Sequence, residues 1–206
     1  MSTFAVLKTR VADILNRTDL TTPIPTWITQ AQRKLERANW KCMQKHSTTT
    51  GADSRILMPT DYKETIWFKV VYGGAYYELE HTNLRDVLNR FPATAQTGLP
   101  EVFATDNATS EFLLGPAPDT TYTFDLFYYC KLAALSQDTD TNWWTTNAEE
   151  LLVYGALLEG SAYLVSDPRI PMWRDFYSET YAALRKSEAD EEYSGSGLAV
   201  KADYVI

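Results

Sequence analysis

WWTTNAEELLVYGALLEGSAYLVSDPRIPMWRDFYSETYAALRK, residues 143–186, is the stretch whose reading decides the fold. Thr146 followed by Glu149 matches a T-x-x-E capping box and predicts a helix over 147–165. Leu151, Leu152, Gly155, Leu158, Ala162 and Tyr163 recur at spacings of three and four, and Tyr154, Ala156, Leu157 and Leu164 fill much of the remaining circumference. A helix apolar almost all round packs on several sides at once. Ser166-Asp167-Pro168 ends it, because proline lacks the amide donor and disfavours helix in the residue before it. A second helix is predicted over 171–192, with Met172, Trp173, Phe176, Tyr177, Thr180, Tyr181 and Leu184 as its apolar stripe. The rest of the chain has to dock onto this pair.

Working back to the N-terminus, Ser2 or Thr3 caps a helix carrying Phe4, Leu7, Val11, Ile14 and Leu15 on one face. Residues 19–25, with Pro23 and Pro25, read as a linker. A further helix starts near Thr26 and repeats Trp27, Ile28, Ala31, Leu35 and Ala38, with Gln30, Arg33, Lys34 and Arg37 opposite. From about Lys45 the period shortens to two. Gly51-Ala52-Asp53 predicts a hairpin between 48–50 and 55–58, and Gly73-Gly74 a two-residue turn between 63–72 and 75–81. Residues 83–90 supply one or two helical turns. Asp106-Asn107-Ala108-Thr109 joins two more strands, and 122–131 alternates as one long strand. The expected fold class is α+β. N- and C-terminal helices (1–45 and 137–192) form one bundle, and an antiparallel β sandwich or barrel (46–136) is inserted in it. Ser194-Gly195-Ser196-Gly197 reads as a linker to a tail within 193–206, where Leu198, Val200, Tyr204, Val205 and Ile206 are apolar.

The 206 residues suffice for a proper core, and 45% hydrophobic with 22% charged residues is an ordinary globular balance. A net charge of −8 disfavours tight binding to phosphate backbones. Thirteen Tyr and six Trp favour large contact interfaces. The N-terminus runs straight into an amphipathic pattern, so no secretory leader is expected, and no apolar run reaches bilayer-spanning length. Cys42 and Cys130, the two cysteines, sit on separate elements and make no disulfide framework.

Catalytic and metal chemistry finds little support. His46 and His81 have no motif partners, Gly73-Gly74 lies inside a hairpin rather than between a strand and a helix, and Ser161 lacks the second glycine of a nucleophile elbow. Asp138, Asp140, Asn142 and Glu149 occupy positions 1, 3, 5 and 12 of a calcium loop, but Trp143 stands where that loop needs glycine. Neither a metal nor a cofactor is expected. Glu159 lies in the crowded part of its helix, where a carboxylate is costly unless paired. An internal ion pair with an arginine, Arg33 or Arg37 first among the candidates, is the expected role.

Thr141-Asn142-Trp143, the run from Leu151 through Glu159, Ala162-Tyr163-Leu164, Arg169 and Trp173 together resemble the head-to-tail adaptor (connector) proteins of short-tailed phages, of the tail-tubular-A type. Met58-Pro59-Thr60-Asp61-Tyr62, Gly98-Leu99-Pro100, Leu114-Gly115-Pro116-Ala117-Pro118 and Tyr128-Tyr129-Cys130-Lys131 agree in order. The resemblance implies a dodecameric ring that docks under the portal protein, extends the DNA channel and offers a platform to the tail nozzle protein. It implies a virion component assembled in the host cytoplasm, without enzymatic activity, passing double-stranded DNA without binding it specifically. Two other readings compete. A carbohydrate- or receptor-binding module needs exposed Trp and Tyr lining a groove, and a cell-wall hydrolase needs Glu159 open to solvent in a cleft.

Overall fold

The computed structural model describes residues 2–17, 19–92, 96–164 and 167–193. They fall into two compact units: residues up to Lys41 together with those from Ala133 onward, and Cys42–Leu132. The chain crosses between them four residues earlier at each end than the change of period suggests.

Thr3, in extended backbone, caps α1 (Phe4–Leu15), its hydroxyl accepting from the Val6 amide at 3.4 Å. Phe4, Leu7, Val11 and Leu15 are buried at the predicted spacing. Asn16, in the left-handed region at φ 54°, closes the helix by returning its amide to the Ala12 and Asp13 carbonyls. α2 (Ile24–Leu35) starts two residues before the expected position, inside the presumed linker. Pro23 and Pro25 belong to its first turn, where a missing amide costs no intrahelical bond.

The second unit is β1 (Gln44–Gly51), β2 (Arg55–Leu57), β3 (Tyr62–Tyr72), β4 (Ala75–Glu78), β5 (Glu80–His81), α3 (Leu84–Arg90), β6 (Thr97–Gly98), β7 (Val102–Asp106), β8 (Glu111–Gly115), β9 (Ala117–Pro118) and β10 (Tyr122–Cys130). One sheet runs β1-β10-β3-β4 and another β2-β8-β7-β5, with β6 and β9 as a separate two-residue ladder. Neither four-stranded sheet closes on itself, so the unit is no barrel. Gly73 and Gly74, at φ 59° and 80°, make the tight turn between β3 and β4. The hairpin expected around Gly51-Ala52-Asp53 does not form: β1 pairs with β10 and β2 with β8, so those residues link two sheets. β10 alternates strictly, with Tyr122, Phe124, Leu126, Tyr128 and Cys130 buried and the residues between them half-exposed. Phe68 of β3 touches Phe103 of β7 and Phe112 of β8, each at 5.1 Å between ring centroids, which makes the inner faces of the two large sheets one aromatic core. The outer face of the smaller sheet, Val102, Ala104 and Leu113, is covered by Val87, Leu84 and Phe91 from α3 and its end.

The first unit resumes with α4 (Trp143–Asn147) and α5 (Glu149–Glu159), a 3-10 turn (Gly160–Tyr163) and α6 (Ile170–Tyr193). The predicted capping box is displaced. Asn142 caps α4, its side chain accepting from the Thr145 amide at 3.1 Å while the Thr145 hydroxyl accepts from the Asn142 amide at 3.0 Å. Thr146 instead donates to the Asn142 carbonyl, and the single predicted helix breaks at Ala148 (φ −143°, ψ 43°). Glu149 pairs with Arg10 at 2.8 Å, tying α5 to α1. α5 and α2 pack tightly because Gly155 faces Ala31 and Gly160 faces the Trp27 ring; a Cβ would stand 2.9 Å from Ala31 Cβ at the first and 2.8 Å from Trp27 at the second. Trp27 also meets Tyr163 at 5.3 Å. Helices from both ends of the chain thus share one core. Trp173 of α6 is fully buried, and Arg169 beside it donates to the Ile14 carbonyl at 2.8 Å, occupying the open end of α1.

Candidate docking surfaces

The side chains most capable of chemistry are already engaged. Asp138 holds Lys8, Asp140 accepts from the amides of Ser136 (2.8 Å) and Gln137 (2.7 Å), Asn142 caps α4 and Glu149 holds Arg10. Those amides keep the Asp140 carboxyl below the ordinary aspartate range. The calcium-loop spacing is therefore spent on local caps and ion pairs, and no three His, Cys, Asp or Glu side chains cluster as metal ligands among the described residues. His46 stacks on Phe127 at 4.4 Å with Nε2 3.3 Å from Asp125, and His81 stacks on Phe103 at 4.7 Å.

Glu159 is paired, but with a different cation from the one expected. Lys34 Nζ bonds Glu159 Oε1, where Arg33 or Arg37 was anticipated. Helical side chains lean toward their own N-terminus, so Lys34 reaches back along α2 toward the Ala31–Gly155 contact, and Glu159 leans back along α5 to the same place. The Glu159 side chain is 16% exposed and that of Lys34 55%, so the pair is a half-open clasp rather than an enclosed one. A carboxylate held this way does not present the open cleft that a hydrolase requires. The apolar tail positions Leu198, Val200, Tyr204, Val205 and Ile206 lie outside the described residues.

What the described chain leaves open is apolar surface, and it occurs on each unit. On the helical unit Tyr163 is 60% exposed, and Met172 and Phe176, both in the apolar stripe of α6, are exposed as well. The Phe176 ring meets that of the half-buried Tyr154 at 5.4 Å. On the β unit, the outer face of the β1-β10-β3-β4 sheet carries Phe127, Trp67 and Tyr76. Lys69 lies among them, 3.7 Å from the Trp67 centroid, 4.5 Å from Tyr76 and 5.0 Å from Phe127. Lys69 is buried, while Trp67 and Tyr76 above it are exposed and Phe127 is half-buried. Period-two alternation reveals one apolar face per strand, so this second, outward aromatic face escapes a reading that assigns every aromatic to the core.

Beneath it, Tyr128 donates to Asp61 at 2.9 Å and Lys45 pairs with the other oxygen of the same carboxylate. Burial and then the Asp61 contact push the Tyr128 hydroxyl up to about 12. Burial opposes ionisation of Asp61, but the Lys45 and Tyr128 donors outweigh it and hold the carboxyl below its ordinary range.

Surfaces rather than catalytic groups agree with what comparison with known proteins finds. The family described as SU10 adaptor protein matches residues 2–201, nearly the whole chain. The chain belongs to the SU10 adaptor family. No curated protein matches it. An adaptor of this family is a structural protein of the phage particle, which is the coarse reading carried by Trp143, the Leu151–Glu159 run and Trp173. Among the described residues no helix is long and apolar enough to cross a membrane.

Proposed function

We propose that this SU10-family chain is the ring-forming adaptor at the head–tail junction of a short-tailed phage. Twelve copies dock under the portal protein, extend the DNA channel and present the platform on which the tail nozzle is built. The observation that carries this reading is the family match over residues 2–201 on a chain whose two units both leave aromatic surface uncovered. Apolar area of this kind is what subunit contacts remove from water. The net charge of −8 suits the wall of a conduit, since a channel that neutralised phosphates would hold the DNA it has to release. In this reading the apolar positions from Leu198 to Ile206 dock the chain onto its neighbours or the portal.

The competing sugar-binding reading loses its best platform to Lys69, whose ammonium already covers Trp67 at 3.7 Å. The test is mass measurement under native conditions, with and without purified portal protein. A ring alone or on the portal is the expected result; a chain that stays monomeric in both samples refutes the proposal.

A further inference from the structure

β1 is an edge strand of unusual openness. It is paired on one side only, to β10, through eight uninterrupted register positions from Gln44↔Tyr129 to Gly51↔Tyr122. Natural edges are blunted by shortness, proline, bulges or outward lysines. β1 has no proline and no bulge, and its one lysine, Lys45, is tied to Asp61. The other terminal strands of the two large sheets are β4, β2 and β5, of four, three and two residues. Gln44, Lys45, His46, Thr48, Thr49 and Thr50 are all exposed, and among the described residues no element covers this edge.

The chain carries a segment that matches such an edge. Residues 198–206, outside the described part, read LAVKADYVI. Leu198, Val200, Ala202, Tyr204 and Ile206 occupy every second position, with Ala199, Lys201, Asp203 and Val205 between them. Apolar residues at every second position, separated by the charged Lys201 and Asp203 through the middle of the run, are the pattern of a strand with one face on a core, and Ala199 and Val205 add apolar positions to the other face near its ends. We propose that residues 198–206 of one copy add to the β1 edge of a neighbouring copy. Their even-numbered side chains extend the inner face that Phe124, Leu126 and Tyr128 begin, beside Thr49, Ser47 and Lys45. Main-chain bonds supply the affinity and the alternating side chains the register. The inference rests on the adaptor reading and gives its tail a specific receptor.

The test compares hydrogen exchange of β1 amides in the full chain and in a Val200→Pro/Tyr204→Pro variant, which cannot complete the added ladder. The expected result is roughly ten-fold faster exchange of outward β1 amides in the variant. A photo-reactive benzoylphenylalanine installed at position 204 should cross-link to β1 of an isotopically labelled copy. Equal exchange in the two chains overturns the proposal, and cross-links confined within one copy overturn the assignment to a neighbour. Native mass on the same samples keeps the two ideas apart: an assembled chain with unprotected β1 removes only the added strand, whereas a chain monomeric with and without portal removes the ring.

Discussion

Replacing Gly155 with alanine sets two effects against each other. Alanine is favoured over glycine in a helix interior by about 1 kcal/mol. Against that, the new Cβ would stand 2.9 Å from Ala31 Cβ and 3.4 Å from Tyr177 Cε2. The first distance lies well inside the roughly 3.5–4.0 Å of an ordinary carbon contact. Ala31 has no rotamer through which to retreat, so the helices themselves must separate. Overpacking of this kind costs about 1–3 kcal/mol, and a middle value of about 2 leaves Gly155→Ala destabilised by about 1 kcal/mol. Ala31→Gly costs about 1 kcal/mol in propensity and a few tenths more in lost packing. In the double variant the propensities cancel and a single Cβ again fills the gap, so its stability should return to within about 0.5 kcal/mol of the parent, a coupling of about 2 kcal/mol. Urea unfolding followed by tryptophan fluorescence reads this well, because Trp27, Trp40, Trp143, Trp144 and Trp173 all belong to the helical unit and only Trp67 to the other. Additive losses in the double variant, or a stabilised Gly155→Ala, would refute the close-approach argument.

Other expectations are more local. Glu159→Ala should lower stability by no more than about 1 kcal/mol, since its partner Lys34 is mostly solvated; a loss several times larger in thermal unfolding would mean the carboxylate is enclosed after all. Tyr128 and Tyr122 are both pushed up to about 12, Tyr128 by burial and then Asp61, Tyr122 by its bond to Asp119 and then burial. Raised values favour the neutral form in the folded state, so their contribution is complete below the unfolded tyrosine value of about 10 and is lost as pH rises toward 12. Absorbance titration should show Tyr122 and Tyr128 ionising late, along with Tyr62 and Tyr177, which burial also raises, and ordinary titration of all thirteen tyrosines would contradict it. Asp61, Asp106 and Asp167 shift the other way, so the stability they add is present above the unfolded aspartate value and falls as pH drops through their lowered ones. Urea midpoints should therefore decline on acidification below about pH 4 and stay level from there to neutrality. Lys69→Met keeps the stem but removes the cation from Trp67 and should cost about 1 kcal/mol; an unchanged urea midpoint would show that the aromatic contact is passive.

Features fixed by neighbours in sequence were legible from it. Gly73-Gly74 gave the β3–β4 turn because only the local φ requirement mattered, and 122–130 gave β10 because alternation marks a strand with one buried face. Features that depend on distant pairing were not. Gly51-Ala52-Asp53 looks like a hairpin turn, yet β1 finds its partner in β10, more than seventy residues on, and nothing in a local window carries that choice. Thr146 and Glu149 satisfied the capping pattern while Asn142 and Thr145, one turn earlier, made the box, since several side chains near a helix start compete for the same amides. The ion pair on Glu159 missed by one residue because helical periodicity fixes a face, whereas a long side chain selects its partner by reach. Met172 and Phe176 stand in the apolar stripe of α6 with the buried Trp173 yet are exposed, and the sequence does not separate them because partner contacts and interiors are written in the same apolar residues.

The β unit enters and leaves through strands that pair with each other, with Gln44 opposite Tyr129 on the β1–β10 ladder. Its two ends are therefore neighbours within the unit itself. A segment with adjacent ends can be lengthened, shortened or exchanged for another with similarly placed ends while the host helices keep their connections. The arrangement makes the sandwich a cassette: an adaptor lineage could exchange the whole unit by replacing one continuous stretch of gene, leaving the helical core to evolve at its own pace.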